Sequence, residues 1–239
     1  MPLSEKQGVG SSILPLATIM LHIIPAAGKA SRIGGIPKFL LPVGEKEFLL
    51  DFHVNSITSK NNKLKKVIAT SEEFYTTIKK MDYEADLLEV NTKTMNETVL
   101  KVLQKYPEET EFLLTMPDTY FYDSNLINNM SKLFDKDVSG TLGLWNIEKS
   151  QIGQLGQCKI DQYYVTDIQD KNINCNYKLF WGAIMWRKNV TKYIVKKDQH
   201  IGFMAENAIR DKYKFNYSIA KKDYYDCGTF SSYKSLIIR

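Results

Sequence analysis

Cysteine is scarce in this chain: its 239 residues hold three, Cys158, Cys175 and Cys227. They are odd in number, far apart and never in a CxxC pair, which argues against a disulfide framework and against a structural zinc centre. Reduced thiols in a cytoplasmic protein are the expectation. Long apolar runs are missing too. Val9 to Ala27 is fairly apolar, but Gly10, Ser11, Ser12, Pro15, Thr18, His22 and Pro25 interrupt it. It has neither the charged start and unbroken apolar block of a signal peptide nor the ~20 residues of a membrane span, so no membrane association is expected. A large charge imbalance is also absent. The 32 basic and 27 acidic residues leave +5, which suits a site handling phosphates and does not call for nucleic acid. The Lys60–Lys66 and Lys196-Lys197 clusters lack an aromatic stripe and read as solvated faces. No repeat, heptad or low-complexity tract occurs. What remains, 44% hydrophobic and 25% charged residues, is an ordinary globular composition.

The apolar pattern alternates between short runs and amphipathic stretches. Leu21–Ile24, Lys66–Ala69, Ala85–Val90 and Glu111–Met116 read as buried strands. Pro25 and Pro117 bound the first and the last of them. Helices are expected over Phe48–Ser59, after Ser71 as an N-cap with Glu72 and Glu73 in the first turn, over Glu97–Tyr106, and from Ser124 to about Phe134. Beyond Val138 shorter strands follow at Thr141–Trp145, Gln157–Ile160, Tyr163–Thr166 and Lys178–Trp181. Helical stretches follow near Val190–Lys196 and Gly202–Asp211, then a strand near Tyr213–Ala220 and a closing helix. This order predicts an α/β class: a single Rossmann-like domain with a mixed, mostly parallel sheet flanked by helices and joined by right-handed crossovers. Residues 1–19 read as an N-terminal extension and 20–239 as the one folded domain.

The first loop carries the strongest chemical signal. Pro25-Ala26-Ala27-Gly28-Lys29-Ala30-Ser31-Arg32 follows the first strand and leads to Pro37-Lys38-Phe39-Leu40-Leu41-Pro42. Small residues let backbone N–H groups approach an anion. Arg32 adds a planar fork and Lys38 a mobile point charge, a set that suits a triphosphate. The two common phosphate motifs do not fit. GxxxxGK[ST] is absent, and GxGxxG fails because positions 30 and 33 are Ala and Ile. A second signal is Asp118, just past the carboxyl end of the fourth strand, where α/β sheets place ligand groups. A third is Asp226-Cys227-Gly228-Thr229 before the closing helix.

These three segments, in this order, resemble the sugar-phosphate nucleotidyltransferase family, with a close match at Pro37-Lys38-Phe39-Leu40-Leu41-Pro42-Val43. The resemblance covers about Met20 to Arg239. It implies that Arg32 and Lys38 bind the phosphates of an NTP beside Ala26, Ala27, Gly28 and Lys29, and that Arg32, Lys38 and Asp118 are catalytic. It also implies that Asp118 and Asp226 hold one Mg²⁺, a hard ion that keeps oxygen ligands. Thr94 and Thr98 would contact base or ribose. Their segment, Thr94-Met95-Asn96-Glu97-Thr98-Val99, is closer to the cytidylyltransferase form, so CTP is slightly favoured over UTP or dTTP. On residue chemistry alone the same segment is a capping box, with Thr94 and Glu97 three apart. Gly156, Asp170, Lys171 and Gly182 would line the acceptor side, with Lys171 facing the acceptor's phosphate.

The implied partners are an NTP and a phosphorylated small-molecule acceptor, a sugar 1-phosphate or a related phosphate, with no nucleic acid and no membrane; a homo-oligomer is left open. The reaction is in-line attack on the α-phosphorus with release of pyrophosphate. It needs no general base because a phosphate is already ionised at pH 7, so His22, His53 and His200 are assigned no chemical role. The sequence departs from the family at Ala30, Ser31 and Pro117. Two alternatives follow: a nucleotide-binding regulatory protein that has lost turnover, or a metal-dependent glycosyltransferase of similar fold. The second lacks its usual Asp-x-Asp, since Asp118-Thr119-Tyr120 stands there.

Overall fold

The computed structural model describes residues 18–28, 36–123 and 125–238. Four strands, β1 (Thr18–Ala26), β2 (Asn62–Thr70), β3 (Asp86–Glu89) and β4 (Glu111–Thr115), lie parallel in the order β3-β2-β1-β4. Met20, Leu21, Ile23 and Ile24 of β1 are all buried, as a parallel strand covered on both faces requires. β1 does not stop at Pro25. Its pairing with β4 ends at Ile23, whereas its pairing with β2 runs on to Ala26. Pro25 therefore lies where the strand is paired on one side only, the place where a missing N–H costs least.

The sheet continues through β9 (Leu179–Arg187), β6 (Gly140–Asn146) and β10 (Phe215–Ile219). β9 is antiparallel to β4 and β6, and β10 is parallel to β6. Four of the six pairings along this path are parallel, so the fold is the expected single α/β domain with a mixed, mostly parallel sheet. A hairpin of β7 (Gly156–Asp161) and β8 (Tyr164–Asp170) branches from β9. Helix α2 (Glu72–Lys79) crosses from β2 to β3 and α3 (Met95–Lys105) from β3 to β4, and α4 (Leu126–Leu133), α5 (Gly202–Arg210) and α6 (Phe230–Ile237) follow. Ser124, expected to start α4, lies outside the described residues. The core fills both faces of the sheet: Leu21, Ile23, Val67, Phe112 and Trp186 on one, and Met20, Leu113, Met130 and Met185 on the other. Among the described residues no helix is long and apolar enough to cross a membrane. The three cysteines are free and buried.

Two local expectations need correction, and two short strands were not foreseen. The helix expected over Phe48–Ser59 is a short α1 (Leu49–Asp51) running into a π-helical turn, Phe52–Ser56. The wider turn points two neighbours in sequence, His53 and Val54, into the core. The stretch near Val190 is a 3₁₀ helix, Lys188–Tyr193, in keeping with β-branched residues that weaken a full α-helix. Two strands of three residues each, β5 (Thr119–Phe121) and β11 (Tyr224–Asp226), pair antiparallel as a second sheet. They are too short to leave a periodic trace in the sequence.

Candidate active site

The chain runs β1 to β2 to β3 toward one edge, then returns to place β4 on the other side of β1. That reversal opens a crevice beyond the carboxyl ends of β1 and β4, the usual ligand position of an open α/β sheet. A cavity of about 560 Å³ lies there. Its walls are Pro25 to Gly28 at the end of β1, Lys38 and Phe39, Asn91 to Met95 with Thr98, and Met116 to Asp118 after β4. A Cβ on Gly28 would meet nothing within 4 Å, so the backbone there faces open space. Ala26, Ala27, Gly28, Lys38, Thr94, Thr98 and Asp118 thus share one cavity. Arg32 and Lys29 lie outside the described residues.

Lys38 opens a short 3₁₀ helix, Lys38–Leu40, after Pro37. Its ammonium lies 3.1 Å from an Asp118 carboxylate oxygen. The pairing of β11 with β5 sets Asp226 opposite Thr119, and the amide of Cys227 donates to the Asp118 carbonyl at 2.9 Å. Two aspartates distant in sequence are therefore neighbours across one ladder. Asp226 also accepts from the Gly228 amide at 2.8 Å. The buried Cys227 thiol senses the whole group: burial pushes it up to about 12, the charges of Asp226 and Asp118 push the same way, and Lys38 opposes them.

The chemistry of the donors would suit Mg²⁺: Asp118 lies in the cavity wall and Asp226 lies across the ladder from Thr119, and a hard ion of this kind commonly takes its remaining oxygen ligands from water and substrate phosphates. Among the described residues no group of three or more His, Cys, Asp and Glu could hold a metal by itself.

Thr94 caps α3, accepting from the Glu97 amide at 3.1 Å and donating to the Lys196 carbonyl at 3.0 Å. Glu97 accepts from the Lys93 amide at 2.5 Å. Thr98 lies 2.6 Å from the Thr92 hydroxyl and 3.2 Å from the Thr94 carbonyl. The capping arrangement foreseen from the residues is thus present, and it engages both hydroxyls.

The residues expected on the acceptor side do not line this cavity. A Cβ on Gly156 would stand 2.2 Å from Trp181 Nε1 and 2.8 Å from an Asp170 oxygen. One on Gly182 would stand 2.5 Å from the Tyr224 ring and 2.8 Å from Trp145. Both glycines permit close packing here. Lys171 is exposed, in a left-handed conformation at φ 55° after β8. Asp170 is mostly enclosed, and its Oδ2 has no hydrogen-bond partner. Burial raises its carboxyl from 3.8 to about 6, against the nearby Lys171 and with the like charge of Glu206. Between those values the folded state binds more protons than the unfolded one, so stability falls as pH rises from about 4 to about 6 and then levels off. Asp170→Asn is therefore expected to raise stability at pH 7.5, by up to about 3 kcal/mol at 1.36 kcal/mol per unit, with little gain at pH 4. Thermal melts at the two pH values check this.

A ligand-sized cavity at the switch point of a mixed α/β sheet, with Lys38 and Asp118 in its wall, is the setting of this site. The chain belongs to the family of MobA-like NTP transferase domains, whose model matches residues 22–146. No curated protein sequence matches it. Its fold is shared with solved sugar-phosphate nucleotidyltransferases. A UDP-glucose pyrophosphorylase complexed with UDP-glucose superposes with a TM-score of 0.75 at 15% identity, over 92% of this chain and 97% of that one. The inositol-1-phosphate CTP transferase from T. maritima gives 0.72 at 16% identity, over 92% and 95%. A UTP-bound UGPase from Acinetobacter baumannii gives 0.73 at 13% identity, over 92% and 93%.

Proposed function

We propose that the protein transfers a nucleotidyl group from an NTP to a sugar 1-phosphate or a related phosphorylated acceptor, releasing pyrophosphate to give an NDP-sugar or its analogue. The observation that carries this reading is the Lys38–Asp118 pair at the mouth of the cavity, with Asp226 held alongside by the β5–β11 ladder. CTP is the first nucleotide to try, on the form of Thr94–Val99. One structural relative carries CTP transferase in its name, and two others carry UDP-glucose or UTP.

The chain's own groups would act by placement and charge, the main resources for phosphoryl chemistry. Ala26 to Gly28 give the triphosphate a close backbone approach. Lys38, now paired with Asp118, would turn its charge to the phosphates and offset what develops on the leaving pyrophosphate. Asp118 and Asp226 would hold Mg²⁺, which supplies charge neutralisation between phosphate oxygens. Arg32 would add a second cation. The reaction and the reduced thiols suit the cytoplasm.

Pyrophosphate release tests the proposal, with each NTP against sugar 1-phosphates, polyol phosphates and phosphocholine in Mg²⁺. One NTP and acceptor pair should release pyrophosphate in step with product and stop on chelation. Nucleotide binding without release from any pair would favour a regulatory protein instead.

A further inference from the structure

Three buried side chains form a hydrogen-bonded chain behind the turn that carries Asp118. His53 Nε2 lies 2.8 Å from the Thr119 carbonyl, and its Nδ1 lies 2.9 Å from the Thr115 hydroxyl. His22 Nε2 lies 2.8 Å from the same hydroxyl. All three side chains are fully enclosed. Thr115 ends β4 and Thr119 begins β5, so the His53 ring spans both ends of the turn Met116–Asp118.

The proton positions follow without choice. Burial lowers His53 to about 4, against the Thr119 carbonyl and the Asp118 charge, and it lowers His22 well below its ordinary value, with His53 and Lys66 adding to the effect. Both rings are neutral at pH 7. The Thr119 carbonyl only accepts, so His53 carries its proton on Nε2 and accepts at Nδ1. Thr115 must then donate its single proton to His53. The hydroxyl is left as an acceptor for His22, which therefore also carries its proton on Nε2. His22 Nδ1 ends the chain with no partner. The π-helical turn Phe52–Ser56 delivers His53, and such turns recur at functional sites.

We propose that His53 and Thr115, oriented by His22, are positioning residues that staple the Met116–Asp118 turn and so fix the Asp118 carboxylate for nucleotidyl transfer. Their effect on rate rests on the transferase reading above. The turn also closes on itself, with the Thr119 amide and hydroxyl donating to the Met116 carbonyl at 3.1 and 2.7 Å. Those bonds hold its shape; the two histidines hold it to β1 and to the helical segment after Phe48. A carboxylate on a loosely held turn would lose alignment with Asp226, a displacement to which positioning catalysis is sensitive.

The test compares Thr115→Val, which keeps the shape and removes the hydroxyl, with Thr115→Ser, which restores it. Histidine ¹⁵N spectra of the wild-type protein should show His22 and His53 as neutral Nε2–H tautomers. In Thr115→Val, exchange of the Thr119 and Cys227 amides should quicken about tenfold, while Ile24 and Val67 in the sheet stay at wild-type rates. Turnover should fall about tenfold with NTP KM within about twofold and a raised Mg²⁺ requirement, and Thr115→Ser should recover each value. Should Thr115→Val fail to fold, His53→Gln carries the comparison, since its amide keeps a donor for the Thr119 carbonyl and gives up the Nδ1 acceptor. A wild-type His53 protonated on Nδ1, or exchange at Thr119 and Cys227 no faster than in the wild type, would overturn the staple. Faster exchange with undiminished turnover would overturn its role in the reaction. A wild-type protein inactive with every NTP sinks the transferase reading alone, since tautomers and exchange still decide on the staple.

Discussion

Alanine at Asp118 is expected to lower turnover about 10²–10³-fold, the usual loss when a group stabilising transition-state charge is removed. The protein should stay folded. Asp118 keeps about a third of its side chain in solvent, at 32% exposure, and exposed ion pairs contribute only about 0–1 kcal/mol. Lys38→Ala removes the partner at 3.1 Å and should lose turnover to a similar order. The two defects should differ in kind. Loss of Asp118 should raise the Mg²⁺ needed for half-maximal rate, whereas loss of Lys38 should weaken NTP binding at saturating Mg²⁺. Steady-state kinetics with melting curves separates these outcomes. Activity of either variant within tenfold of wild type would count against the site.

Trp186→Ala is expected to produce the largest loss of stability, about 3–5 kcal/mol for an aromatic truncation in a packed core. Trp186 is fully buried on β9 and lies with its ring centroid 5.2 Å from that of Phe112 on β4. This contact joins the parallel half of the sheet to the half beyond β9, because Trp186 pairs with both Phe112 and Gly140. Its strand partners Phe112 and Gly140 are held in the ladder on both sides, which limits collapse into the gap. At about 2–4 °C per kcal/mol for a domain of this size, the melting temperature should drop by roughly 10 °C. A loss below about 1 kcal/mol would show that the site relaxes as a strand edge does.

The fold was legible because its signals are local and repeated. Apolar runs such as Leu21–Ile24 and Glu111–Met116 mark buried strands whatever their neighbours, and Ser71 with Glu72 and Glu73 marks a helix start. That Ala26 to Gly28, Lys38 and Asp118 would come together at one crevice was legible for the same reason, since Ala26 to Gly28 and Asp118 each follow such a run and share the cavity wall with Lys38. Other features depend on partners remote in sequence. Nothing in Thr119-Tyr120-Phe121 or Tyr224-Tyr225-Asp226 announces a strand; each becomes one only by pairing with the other. His53 stands 62 residues from the Thr115 hydroxyl it meets, so no spacing rule reveals the contact. The acceptor-side residues were inferred by likeness, and bulky Trp181, Trp145 and Tyr224 pack against the glycines among them.

The short ladder of β5 with β11 also divides the site along the chain. Asp226 stands opposite Thr119, 226 − 119 = 107 residues further along the chain, whereas every residue that lines the cavity lies at or before Asp118. A chain cut short before residue 224 would therefore carry the whole cavity wall in its sequence and lack Asp226. On the proposed reading, such a truncation would separate holding a donor from consuming it.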